Sequence, residues 1–425
     1  MILADLIIVH ARQIISFSGS GPLRGTDQGA VNILNDGAIA SSNGRIVHVG
    51  PSVDVHRMVA PLPGARFVNA RDVSVVPGFV DPHTHAAFAG DRREELRKRL
   101  AGATYAEIAA AGGGIVSTVA GTRAASEIDL IDQTRTRLDE MLACGTTTCE
   151  IKSGYGLSLE SELKMLRAIR KLADTHPIEI VPTFLGAHDL PLEFRAERDK
   201  YVDLLVNEMI PAVADEGLAE WCDVFCETGV FTPAESIRIL EAGQAAGLRA
   251  RIHADELGPS GGSQVAARVR ARSADHLIFV PEEGIRAMAD AGVTATLLPI
   301  AAFYLKLGRF APARDLIAAG IPVALATDVN PGGGFSPSMP FAMALACFGM
   351  HMTFEEALAA ATINAAWSLG RADSIGSLEF GKQMDAVMVH GDAINLIRVG
   401  APAIAAVLKR GECVAGTLPR VVESS

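Results

Sequence analysis

Little in this chain points beyond small-molecule chemistry. Of its 425 residues only six are cysteines, and no two are spaced Cys-x-x-Cys. Cys222 and Cys226 lie four apart in a strand-like run, a spacing open to a soft-metal or disulfide pairing. Buried thiols in a reducing cytosol are the favoured expectation for them and for Cys144, Cys149, Cys347 and Cys413. Basic runs are missing and the formal net charge is −11, which argues against nucleic acid or an anionic membrane as partner. No uninterrupted apolar run is long enough to span a bilayer. The stretch Met1–Phe17 is broken by Asp5, His10, Arg12 and Gln13 and lacks a cleavage site, so it is not read as a signal peptide. Internal repeats and low-complexity linkers are also missing. Gly112-Gly113-Gly114 has neither the spacing nor the lysine of a phosphate loop. It is read as a flap or turn, and no nucleotide cofactor is expected. These absences leave a soluble, cytoplasmic protein with a small-molecule partner.

Almost half of the residues are apolar, enough for a large core without staples. Residues 1–72 read as short strands, with Leu6–Val9, Ala38–Ala40 and Arg45–Val49 the clearest, a hairpin turn at Ser42-Asn43-Gly44, and no helix. From residue 73 strands alternate with amphipathic stretches such as Leu159–Ala173, Thr232–Ala246 and Pro312–Ala318, the signature of a parallel sheet with crossover helices. Eight strands are expected: Val75–Val80, Thr146–Ile151, Glu179–Phe184, Trp221–Cys226, Arg249–His253, Ala274–Ile278, Thr294–Leu298 and Pro322–Ala326. They predict an α/β fold, a (β/α)8 TIM-like barrel. After a helical run at Thr353–Gly370, strands return at Asp385–Val389 and Ala405–Leu408. The division expected is a catalytic barrel over 73–375 and a small β-sandwich domain built by both chain ends, 1–72 and 376–425.

Barrel enzymes build their sites at the C-terminal ends of the strands. The expected first strand runs into Asp81-Pro82-His83-Thr84-His85. Residues i and i+2 of a strand point the same way, so His83 and His85 reach one point. Later strand ends carry Glu150 with Lys152, then His188, Glu227, His253, His276 and Asp328. Five of the eleven histidines therefore sit at strand ends. His83, His85, His253 and Asp328 make a metal set. Three neutral imidazoles and one carboxylate leave an ion enough charge to acidify water, and suit zinc and iron alike. Glu256, three residues beyond His253, and His276 are candidates for proton transfer. Arg92, in Phe88-Ala89-Gly90-Asp91-Arg92, suits a substrate carboxylate, although spacing alone leaves a solvated surface charge equally open. Tyr155, in Lys152-Ser153-Gly154-Tyr155-Gly156, is either a platform for a planar ring or an exposed turn residue.

These motifs resemble the amidohydrolase superfamily and, more narrowly, its imidazolonepropionase family. The likeness is carried by His83–Arg92, Glu150–Leu157, Phe184–His188, His253–Glu256, Ser273–Leu277 and Thr327–Gly332, and spans nearly the whole chain. It implies the metal ligands His83, His85, His253 and Asp328. It also implies a substrate held by Arg92, Tyr155, His188 and Glu256, and a product end held by Asn330 and Gly332. The implied reaction is hydrolysis of the ring C–N amide bond of 4-imidazolone-5-propanoate to N-formimidoyl-L-glutamate, in histidine degradation. Asp328 with His276 or Glu256 would then be catalytic, His188 would help at the oxyanion, and the enzyme would be a homodimer. The family carries Ser or Thr where this chain has Gly333, leaving Ser336 or a water to replace the hydroxyl. Binuclear amidohydrolases carry a bridging lysine at the end of the fourth strand. That strand here ends Cys226-Glu227-Thr228, which implies one zinc or iron ion per subunit. Another cyclic-amide hydrolase or a nucleobase-type deaminase would use the same ligands, and a non-catalytic binding protein is the third reading.

Overall fold

The computed structural model describes residues 1–103, 107 and 112–423; residues 424–425 of the expected second β segment lie outside them. Among the described residues there are seventeen strands: β1 (Ile2–Ser16), β2 (Asn32–Ser42), β3 (Arg45–Pro51), β4 (Val59–Asn69), β5 (Val73–Pro77), β6 (Phe79–Asp81), β7 (Thr146–Lys152), β8 (Glu179–Ala187), β9 (Trp221–Cys226), β10 (Arg249–Ala254), β11 (Ser273–His276), β12 (Thr294–Leu297), β13 (Val323–Leu325), β14 (Ala386–His390), β15 (Ile404–Lys409), β16 (Glu412–Gly416) and β17 (Val421–Glu423). Strands β6 to β13 form a parallel sheet in sequence order, the expected barrel. The other nine form one mixed sheet from both chain ends. Along β1, Leu6 and Ile8 enter one apolar cluster with Val75, Met388 and Leu408, while Ile7 between them enters another. This is the two-sided burial that a period of two produces.

The strand expected over Val75–Val80 is two strands. Val73–Pro77 pairs with β1 and β14 in the end-built sheet, whereas Phe79–Asp81 opens the barrel by pairing with β7. Gly78 separates them, and a Cβ there would lie 2.4 Å from Thr147 Oγ1. Only glycine lets the chain pass so close. The first 72 residues also hold a short helix, Ser52–Met58, against the expectation of none. Its first turn carries Asp54, which pairs with Arg57. Asn43 and Gly44 both have positive φ, 50° and 74°, as the tight turn between β2 and β3 requires.

Between barrel strands the helices follow their apolar periodicity. Leu159–Ala173 buries Leu163, Leu166, Ile169 and Leu172 and is capped by Ser158. Pro233–Ala245 starts from a Thr232/Glu235 capping box. The helical run expected at Thr353–Gly370 is two helices, Phe354–Ala360 and Ile363–Ser368. They break at Thr362, which is not helical (φ −132°) and whose hydroxyl donates back to the Leu358 carbonyl at 2.6 Å.

The first and last barrel strands meet through side chains. The buried Asp81 carboxylate accepts from the Thr327 amide (3.1 Å) and hydroxyl (2.5 Å). Beyond it the Asp328 amide donates to the His83 carbonyl (3.1 Å), and the His85 amide to the Val329 carbonyl (3.0 Å). This seam places the two histidines beside Asp328. Among the described residues no helix is long and apolar enough to cross a membrane, and no cysteine is disulfide-bonded. Cys149, Cys222 and Cys226 are buried as expected, but Cys144, Cys347 and Cys413 are only half-buried. Gly243 of the flanking helix packs on Cys222, so that thiol faces the outside of the barrel.

Candidate active site

At the C-terminal mouth of the barrel one cavity is lined by His85, Arg92, Tyr155, His188, His253, Glu256, His276, Asp328, Asn330, Gly332 and Gly333. Every site residue expected from the sequence lines it except His83, which lies below, fully buried. Donor atoms of His83, His85 and His253 all fall within 4.8 Å of one another. His85 Nε2 and His253 Nε2 are 3.2 Å apart, and Asp328 Oδ1 lies 3.7 Å from His83 Nε2 and 3.6 Å from His85 Nε2.

The donor chemistry fits a cation. His83 donates from Nδ1 to Asp275 Oδ2 at 2.7 Å, which leaves its Nε2 a bare lone pair. That buried atom has no hydrogen-bond partner. Burial pushes both His83 and His85 well below the usual imidazole range, so the rings are neutral. Neutral imidazole nitrogens converging beside a carboxylate, away from water, form a site that could hold a metal ion. Lys152 is not part of it: its ammonium lies 2.6 Å from Glu150 and 2.7 Å from Asp223.

Backbone strain gathers here. His276 and Asp328 adopt positive φ, 76° and 55°, a region L-residues with side chains enter at a cost. Glu256 Oε1 lies 3.6 Å from His276 Nδ1. Burial, with Glu227 adding like charge, pushes the Glu256 carboxyl up to about 8, whereas burial pushes His276 well down. Near neutral pH the pair is a carboxylic acid beside a neutral imidazole. Glu227 itself accepts from the amides of Thr228 and Leu257, both at 2.9 Å, and so holds the segment that carries Glu256.

His188 stacks on His85, with ring centroids 4.8 Å apart, and its Nδ1 lies 2.9 Å from the Gly154 carbonyl. A carbonyl only accepts, so Nδ1 carries the proton. Burial pushes His188 down to about 3, so Nε2 is an acceptor.

Tyr155 is buried, with its ring 5.1 Å from that of His188, so the exposed-turn alternative is set aside. Its loop is pinned from beneath by Glu162, whose buried carboxylate accepts from the amides of Gly154 (3.0 Å), Gly156 (2.8 Å) and Leu157 (2.8 Å). Arg92 is buried, not a surface charge, and its Nε and Nη2 both lie 2.7 Å from Glu95 Oε2. Asn330 ties its own loop: Oδ1 accepts from the amides of Gly332 and Gly333, and Nδ2 donates to the Asp328 carbonyl. Ser336 lines a different cavity, with Cys144 and Ser338, and does not replace a hydroxyl at Gly333.

Sequence reasoning did not single out Glu95, Glu162, Asp223, Phe225 or Leu305. Spacing carried a weak signal for Glu162 alone, a carboxylate in the first turn of a capped helix directly after the Tyr155 loop.

Residues 74–418 match the model of the amidohydrolase family. The chain is 49% identical to the imidazolonepropionase of Symbiobacterium thermophilum over 413 residues, covering 96% of this chain and 97% of that one. It is 52% identical to the imidazolonepropionase of Geobacillus kaustophilus over 388 residues, 91% of each. Among solved structures it resembles a zinc-bound adenosine deaminase from Xanthomonas campestris (TM-score 0.71, 21% identity, covering 98% of this chain and 94% of that one). Guanine deaminase from E. coli is similar too (TM-score 0.70, 14% identity, 97% and 99%). These two share the fold. The chain belongs to the amidohydrolase family, and within it to the imidazolonepropionases.

Proposed function

We propose that this chain hydrolyses the ring C–N amide bond of 4-imidazolone-5-propanoate, giving N-formimidoyl-L-glutamate, with one zinc or iron ion held by His83, His85, His253 and Asp328. The observation that carries the reading is one cavity lined both by histidines of that cluster and by the buried guanidinium of Arg92. A bound ion would supply a Lewis acid and lower the pKa of water towards neutrality.

The remaining work falls to side chains. Glu95 engages Nε and Nη2 of Arg92; the Nη1 corner, beside Gly332, is assigned to the propionate. Tyr155 packs against the planar ring. His188 Nε2, an acceptor, takes a ring N–H. Asp328 orients the attacking water. As the water oxygen bonds to the carbonyl carbon, its proton passes to neutral His276. Glu256, held protonated, gives its proton to the ring nitrogen as the C–N bond breaks. Proton return from His276 to Glu256, 3.6 Å away, resets the pair.

A nucleobase-type deaminase is the second reading, because such enzymes share the fold. A buried cation in the pocket wall favours an anionic substrate instead. Purified metal-loaded protein should consume imidazolone propionate, with loss of its ultraviolet band, and release formimidoylglutamate without ammonia. A flat absorbance trace, or ammonia as product, would sink the proposal. A homodimer in the cytoplasm is carried with it, and sedimentation of the purified protein checks the dimer.

A further inference from the structure

Five charged side chains below the cavity take no part in that chemistry. Glu150 and Lys152 on β7, Asp223 on β9, Arg251 on β10 and Asp275 on β11 are all fully buried. They form two parallel chains, each leading from an imidazole to a carboxylate to a cation. In one, His83 Nδ1 lies 2.7 Å from Asp275 Oδ2, which lies 3.3 Å from Arg251 Nη2. In the other, His253 Nδ1 lies 3.1 Å from Asp223 Oδ2, which lies 2.7 Å from Lys152 Nζ. Glu150 Oε1 joins them, 2.6 Å from Lys152 Nζ and 3.6 Å from Arg251 Nε. Arg251 Nη2 also donates to the Pro82 carbonyl at 2.8 Å, one residue before His83.

The geometry has a direct chemical consequence. A carboxylate only accepts, so His83 carries its proton on Nδ1 and offers a bare Nε2 on the far side of the ring; Asp223 faces His253 Nδ1 at a similar distance, but the two atoms are not aligned as a hydrogen bond. We infer that Asp223 and Asp275 are positioning residues that fix the tautomer and orientation of His253 and His83 for ion binding, with Lys152 and Arg251 as their counter-ions. The inference rests on the reading of these histidines as metal ligands. Three carboxylates against two cations leave one net negative charge below the imidazoles, which further favours a cation above. His85 is held differently: its ring stacks on that of His188.

Buried ion pairs broken on one side are strongly destabilising, but Glu150 guards against that here. In Asp223→Asn, Lys152 keeps Glu150; in Asp275→Asn, Arg251 keeps Glu150 and the Pro82 carbonyl. Both variants should therefore fold. Metal-free wild type, Asp223→Asn and Asp275→Asn are titrated with Co²⁺, following affinity by chelator competition and geometry by the visible spectrum. Thermal melts of the metal-free proteins report folding. Each variant should bind Co²⁺ roughly 10- to 100-fold more weakly, with an altered spectrum and a cooperative melt. Folded variants that bind within twofold of wild type, with the same spectrum, would overturn the inference and leave the metal reading standing. Wild type that binds no Co²⁺ would overturn both. Should an Asn variant not fold, ring ¹⁵N shifts of metal-free wild type decide: Nδ1-protonated His83 and His253 support the inference, and Nε2-protonated rings overturn it.

Discussion

The Arg92 guanidinium packs directly on the backbone of Gly332: a Cβ at that glycine would lie 2.2 Å from Nη1. The missing side chain is what lets a buried cation reach the cavity wall. Gly332→Ala should push Arg92 aside, at the roughly 1–3 kcal/mol typical of overpacking. If Arg92 grips the propionate, KM should rise about tenfold or more while kcat changes little. Steady-state kinetics check this, and an unchanged KM would count against the assigned contact.

Gly333 behaves oppositely. A Cβ there would meet only Leu305, at 3.5 Å, an ordinary van der Waals contact. Gly333→Ser should be tolerated, with stability within about 0.5 kcal/mol of wild type. One added hydrogen bond of about 1 kcal/mol would lower KM by up to roughly fivefold. Chemical denaturation and kinetics on the same preparation test both halves.

Much of this site is legible in the sequence. His83 and His85 declared themselves by i, i+2 spacing after an apolar strand, and His253, His276 and Asp328 by their places at strand ends. The parts that were not legible depend on contacts between distant segments. Asp223 looks like one polar residue inside Trp221–Cys226, and only the barrel interior sets it beside His253 and Lys152. Glu95 sits in a run of mixed charges, and burial alone separates it from its exposed neighbour Glu94. The division at Gly78 escaped because Val73–Pro77 and Phe79–Asp81 are both fully buried. Apolar character could not reveal that they serve different sheets.

Glu162 is a structural carboxylate whose removal should be felt at the substrate. Glu162→Gln leaves one acceptor oxygen where two now serve three loop amides. A buried donor left unsatisfied costs about 1–3 kcal/mol, and the loop carrying Tyr155 should loosen. Lower stability together with a reduced kcat/KM is expected. A variant as stable and as active as wild type would show that the loop holds itself.

Glu256 gives the metal-free protein a pH signature. Its carboxyl is raised from 4.5 to about 8 in the fold, so the native state keeps a proton that the unfolded chain loses. The stability from that proton is complete below about 4.5 and is lost as pH rises towards about 8. Glu256→Gln removes this dependence. Urea unfolding of metal-free wild type and variant at pH 5 and pH 8 should show the variant gaining on wild type as pH rises. An equal difference at both pH values would contradict the burial argument.

The central claim is that an acidic imidazolone is opened in the cavity shared by Arg92 and the histidine cluster. The most direct test is turnover of imidazolone propionate by metal-loaded wild type beside Arg92→Ala, with formimidoylglutamate and ammonia both measured. Formimidoylglutamate without ammonia is expected from both proteins, with KM raised by at least tenfold in the variant and kcat largely kept. No turnover by wild type, or an Arg92→Ala variant with wild-type KM, would contradict it.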